Sequence, residues 1–165
     1  MFPKLSRLSD DQHTAQITVE WKGYITAKID WDFRSANLYW QFVDPNFSLL
    51  ELGFEWPSGR LTHCAIPLFN GEVEDCQTET LPNVPPGTPF FDLSPWADQF
   101  SDPTARGNHL EQPGRIRLVK KHGGLRIVCK DRPPLRSLAY GGKVVCDFGE
   151  GDELNALTLV GDFSV

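Results

Sequence analysis

Along most of this chain apolar residues alternate with polar ones at a period of two, the spacing of a half-buried strand. Gln16 to Trp21 and Tyr24 to Trp31 are rich in β-branched and aromatic residues, and Lys22-Gly23 between them predicts a tight hairpin turn. Asn37 to Val43, Ser48 to Trp56 and Arg60 to Phe69 continue the pattern, the last two joined by Pro57-Ser58-Gly59. Further on, Arg115 to Lys121 and Leu125 to Lys130 flank His122-Gly123-Gly124, and Ser137 to Tyr140 and Lys143 to Phe148 flank Gly141-Gly142. Leu154 to Val160 closes the set. About ten short antiparallel strands joined by Gly and Pro turns predict an all-β sandwich or barrel.

Helix signals are few. Ser94-Pro95-Trp96 predicts an N-cap, a first-turn proline and a short helix near 95–100. Ser9 to Gln12 fits a capping box, but Ile17-Thr18-Val19 turns β-like too soon for a long helix. Residues 71–112 read as an irregular middle, with Leu81 to Pro89 extended and polyproline-like, crossing from one half to the other.

The two halves can be laid over each other. Leu38 precedes Asp44 by six residues with Pro45 next, and Leu125 precedes Asp131 by six with Pro133 and Pro134 close behind. Strands 49–56 and 143–148 follow, then 61–66 and 154–159. The hydrophobic pattern is compatible with an internal repeat, 24–69 and 115–160, joined by the Pro-rich segment 71–112 within a single domain of residues 1–165.

Length and composition fit that reading. A chain of 165 residues, 40% hydrophobic and 23% charged, is one globular domain's worth. The N-terminus lacks the apolar core of a signal peptide, and the uncharged stretch Leu81 to Phe91 is broken by prolines. A cytoplasmic protein without a membrane segment is expected. Cys64, Cys129 and Cys146 sit in strand-like runs as small buried hydrophobes, and disulfides are the weaker reading without a secretion signal.

Charge changes the picture most. Between Asp44 and Asp102 ten acids stand against Arg60 alone, whereas from Arg106 to Lys143 ten bases face only Glu111 and Asp131. Five acids and no base follow Lys143, and the whole chain carries −6. Two readings compete for the basic stretch: a strip on the 115–130 hairpin tracking a phosphate backbone, or basic strands beside acidic ones whose charges cancel locally. The acidic overall balance favours local cancellation, so nucleic acid is an unlikely partner.

Candidate chemistry is thin. His63-Cys64 lies mid-strand with its side chains on opposite faces, and His13, His109 and His122 stand in different segments, so no metal site is assigned. Asp147, Glu150, Asp152 and Glu153 cluster at a Gly turn without EF-hand spacing and read as a solvated tip. Trp21, Trp31, Trp40 and Trp96 read as core, with Trp56 beside Pro57 the most exposed of the five. No catalytic residue and no cofactor is assigned.

Leu125-Arg-Ile-Val, Val144-Val-Cys-Asp-Phe, Gly149-Glu-Gly-Asp-Glu-Leu and Ala156-Leu-Thr-Leu together resemble a small, uncharacterised bacterial β-domain family over about 124–160. That resemblance implies a bacterial or phage-like setting and no activity. In overall character (modest size, acidic charge, no signal peptide) the chain resembles bacterial toxin-immunity proteins. The resemblance implies a non-enzymatic inhibitor that covers a cationic toxin domain, a basic protein partner. The residues expected to make that contact are Glu51, Glu55, Glu72, Glu74, Asp75 and Glu79, with Trp56 as aromatic anchor. Glu51 and Glu55, four apart on a strand, share a face. The competing readings are an enzyme or ligand-binding β-barrel with a site assembled from distant residues, marked by a deep pocket, and the nucleic-acid module on 115–130.

Overall fold

The structure, a computed structural model, describes residues 1–10, 15–18, 27–31, 36–81, 83–105 and 107–161. The Lys22-Gly23 turn, Trp21, His13, the end of the Ser9–Gln12 capping box and Arg106 lie outside the described residues. The first half contains β1 (Leu5–Ser9), β2 (Ala15–Thr18), β3 (Ala27–Trp31), β4 (Leu38–Val43), β5 (Leu49–Glu55) and β6 (Arg60–Leu68). Then come β7 (Val73–Thr80), β8 (Thr88–Phe91), a single helical turn α1 (Ser94–Ala97) and β9 (Asn108–Pro113). The last part is β10 (Arg117–His122), β11 (Gly124–Val128), β12 (Arg136–Tyr140), β13 (Val144–Phe148) and β14 (Leu154–Val160).

The fold is all-β, as the alternation predicts, and its strands form two sheets. One runs β1-β8-β6-β5-β4-β9, with β3 also on β6 and β2 beyond it; the other runs β12-β13-β14-β11-β10-β7. The pairings are antiparallel except β4 with β9 and β10 with β7, which are parallel. The inner faces meet in one core. Trp31 stacks on Tyr140 at 4.5 Å, and the Tyr140 hydroxyl donates to the Leu61 carbonyl of the opposite sheet at 2.9 Å. Leu38, Trp40 and Phe42 on β4, Leu50, Leu52 and Phe54 on β5, and Ile127, Cys146 and Leu157 opposite are all buried in it.

The middle of the chain departs from expectation. Residues 71–112 are not irregular: they hold β7, β8 and β9. β7 and β9 escape the hydrophobic pattern because each is an edge strand, paired on one side only and rich in polar residues. The Pro-rich segment does cross between sheets. Ala139 donates to the Pro85 carbonyl and Gly87 donates to Ala139, both at 2.9 Å, so the segment lies along β12 before entering β8.

Two local details adjust the predicted ends. Ser94 is the first helical residue, with Leu93 at the cap, and the helix stops at Ala97. Asp92, one residue before the cap, accepts the Ser94 amide at 3.0 Å, and the cap itself makes no side-chain hydrogen bond. At the β5–β6 turn Gly59 has φ +75°, and a Cβ there would lie 1.9 Å from the Phe91 carbonyl oxygen, so both backbone sign and space require glycine.

The N-terminal residues close one end of the sandwich. Phe2 packs on Trp40 and Phe42 at 5.6 and 5.4 Å, Pro3 accepts from Leu154, and Lys4 accepts from Asp92. Under the superposition of the two halves, β4 pairs with β5, whereas its counterpart β11 pairs with β14. The duplication therefore remains an expectation from sequence pattern.

Candidate functional site

The outer faces of the two sheets carry the polar chemistry, and they differ. On the second sheet the acidic and basic blocks meet in register. β7 lies parallel to β10 with Glu74 opposite Val119 and Asp75 opposite Lys120. Arg117 donates from Nε and Nη2 to the two Glu74 oxygens at 2.7 and 2.8 Å, and its Nη1 lies 2.9 Å from Asp131. Lys121 donates to Glu79 at 2.6 Å. Arg126 reaches Asp147, which also accepts from Ser137, and Lys130 reaches Glu153.

These contacts favour the ionised forms. The Arg117 hydrogen bonds hold the Glu74 carboxyl below its usual range, and Lys121 does the same for Glu79. Charge cancellation across strands is thus the state of this face, and four of the bases that a phosphate strip would use are already met by carboxylates. The pairs border a depression of about 200 Å³ floored by Val119, Val128 and Cys76. Asp147 is not part of a solvated tip: it is buried on the outer face of β13, beneath Arg126.

On the first sheet the outward side chains form three rows across the strands. His109, Tyr39, Gly53 and His63 make one row, with Tyr39 edge-on to His63 at 5.9 Å. A Cβ on Gly53 would stand 2.7 Å from that of Ala36 and 2.9 Å from that of His63, so glycine opens the space in which this row packs. Glu111, Gln41, Glu51 and Ala65 make the second row. Gln41 donates to Glu51 at 2.8 Å and His63 Nε2 lies 3.4 Å from it, and the His63 contact chiefly lowers the Glu51 pKa. The third row is apolar: Pro113, Val43, Leu49 and Leu68.

The seven expected contact residues are therefore divided between two sheets. Glu51 lies in the middle row of the first sheet. Glu55 is on the same strand face and accepts from Ser58 at 2.7 Å, with Arg60 at 3.8 Å. Trp56 is partly buried against the core, its amide donating to Asn37 at 3.2 Å. Glu72 is exposed ahead of β7, Glu74 and Glu79 are ion-paired, and Asp75 is exposed on the same strand. Glu51 and Glu55 do share a face, because the bulge between them falls on β6, where Thr62 is the extra residue and donates to Gly53 at 3.2 Å.

The thiols are structural. Cys64, Cys129 and Cys146 are buried and free, and burial raises all three, Cys129 to about 12. They stay protonated near neutrality and are poor nucleophiles. Among the described residues no group of three or more His, Cys, Asp or Glu is placed to hold a metal, and no helix is long and apolar enough to cross a membrane. The fold and its two outer faces define a two-sheet β-sandwich with one charge-cancelled face and one face graded from apolar to polar. Compared with known proteins, the chain matches no family model and no curated protein.

Proposed function

We propose that this chain is a non-enzymatic protein-binding inhibitor of the bacterial immunity kind, which neutralises a cationic toxin domain in the cytoplasm. One observation carries the reading. Four bases of the second sheet, Arg117, Lys121, Arg126 and Lys130, are met by carboxylates, and the chain as a whole carries −6, which supports an acidic excess on other surfaces. Among the described residues, exposed carboxylates outside those pairs include Glu72, Asp98, Asp102 and Glu111 along the first sheet and its approaches, with Asp75 and Glu150 on the second. Asp102 accepts from Thr104, which holds it ionised. An electronegative surface speeds encounter with a basic partner and disfavours acidic ones.

The test is retrieval of the tagged protein from host lysate at low and high salt, followed by reconstitution with whatever domain is captured. A basic domain bound one to one, weakened by Glu72→Lys with Glu111→Lys and losing its toxicity in the complex, is the expected result. Recovery of nucleic acid alone, or of nothing, would sink the proposal.

A further inference from the structure

The turn between β4 and β5 holds a phenylalanine out in water. Phe47 is 76% exposed and has φ +66°, a conformation costly for a bulky side chain. The turn is fastened to two other segments. Asp44 is buried, and its two oxygens accept the amides of Asn46 at 2.7 Å and Ile116 at 2.8 Å. Ser48 accepts the Asn70 amide at 2.9 Å, and the Asn70 side chain donates to Asn46 at 3.1 Å. Phe47 is thus presented by a fixed scaffold, and a partner pays little ordering entropy to use it.

Beside Phe47 lies the apolar row of the first sheet, ending at Leu68, which is 44% exposed and directly opposite Leu49. The neighbouring row carries Glu111 and Glu51, and Glu72 stands exposed four residues after Leu68. Among the described residues, the bases near this end include Lys28, in register with Ala65, and Arg115 beyond Pro113. Glu111 adds acidity along the β9 side. An apolar centre with an aromatic anchor and a charged rim is the anatomy of a protein-docking surface, and the excess of carboxylates selects a basic partner.

We propose that Phe47 and the Val43–Leu49–Leu68 row form the centre of the docking surface, with Phe47 entering an apolar pocket on a basic protein whose cations meet Glu111, Glu51 and Glu72. The proposal rests on the inhibitor reading but is narrower, since that reading allows any acidic surface to make the contact.

The experiment places a photo-crosslinking phenylalanine analogue at position 47 and, separately, at Thr78 on β7, and irradiates each protein in host lysate. The expected result is an adduct from position 47, absent from position 78, with one basic protein. That protein, purified, should bind the unmodified chain, and Phe47→Ser should weaken the complex about tenfold or more with unchanged circular dichroism. Leu68→Ser gives a second reading of the same row, and Glu111→Lys should weaken binding further. An adduct from position 78 alone overturns this docking centre and leaves the inhibitor reading standing. An adduct with a second copy of this chain or with an acidic protein, or no adduct from position 47, overturns the docking proposal, whereas the inhibitor reading stands or falls on retrieval of a basic domain from host lysate.

Discussion

Arg117 and Glu74 face each other across a parallel strand pair, joined by two hydrogen bonds of 2.7 and 2.8 Å, although 43 residues separate them in sequence. Their pairing ties an edge strand with few apolar residues of its own to the rest of the second sheet. Edge strands of this kind depend on side-chain pairs as well as on the backbone ladder.

Reversing one charge should therefore loosen β7 selectively. Glu74→Arg places three cationic groups, with Arg117 and Lys121, on one face of a single pair of strands. Amide hydrogen exchange across 73–80 should quicken while the core strands β13 and β14 keep their protection. Glu74→Arg with Arg117→Glu should restore slow exchange. Unchanged exchange in the single variant would show that the backbone ladder alone holds β7.

Asp147 tests a different regime of electrostatics. It is buried, accepts from Ser137 and meets Arg126, so removing the cation strands a carboxylate without its charge partner. Arg126→Met should cost about 3 kcal/mol in urea denaturation. Asp147→Asn, which removes the charge and keeps a hydrogen-bonding side chain, should cost about 1.5 kcal/mol. Equal losses in the two variants would mean that the burial of charge is not what sets the cost.

How much of this was legible in sequence depends on which face an element buries. β4, β5, β6 and β10 to β14 are readable because each turns alternate apolar side chains into the core. β7 and β9 are not, because their partners are supplied by parallel neighbours far away in the chain and their own residues are mostly wetted. The charge blocks are visible in the sequence and favour local cancellation, but which acids remain outside ion pairs depends on the β7–β10 register. Phe47 escapes the pattern because it falls between the runs Asn37 to Val43 and Ser48 to Trp56, where no alternation records that an aromatic points outward.

The Glu51–His63 contact predicts an acid-side signature. Its folded-state pKa lies below the ordinary value of 4.5, chiefly through the His63 hydrogen bond. A depressed carboxyl contributes stability that is fully present above the unfolded value and is lost as pH falls through the folded one. Glu51→Gln should therefore flatten the dependence of the denaturation midpoint on pH below about 4.5. A slope below that pH as steep as in the parent protein would mean that the contact does not favour the ionised form.

The cysteines give a chemical readout of the same architecture. Cys64, Cys129 and Cys146 are walled off between the sheets, and burial raises each thiol, whereas Cys76 lies half-exposed on the floor of the β7–β10 depression. Reaction with a thiol-specific reagent needs both access and thiolate. Under native conditions Cys76 should label alone, and Cys76→Ser should abolish rapid labelling. All four cysteines should react once urea separates the sheets. Rapid native labelling of Cys146, followed by peptide mass mapping, would mean that the two sheets part on the timescale of the reagent, and the core would then be less closed than the Trp31–Tyr140 stack implies.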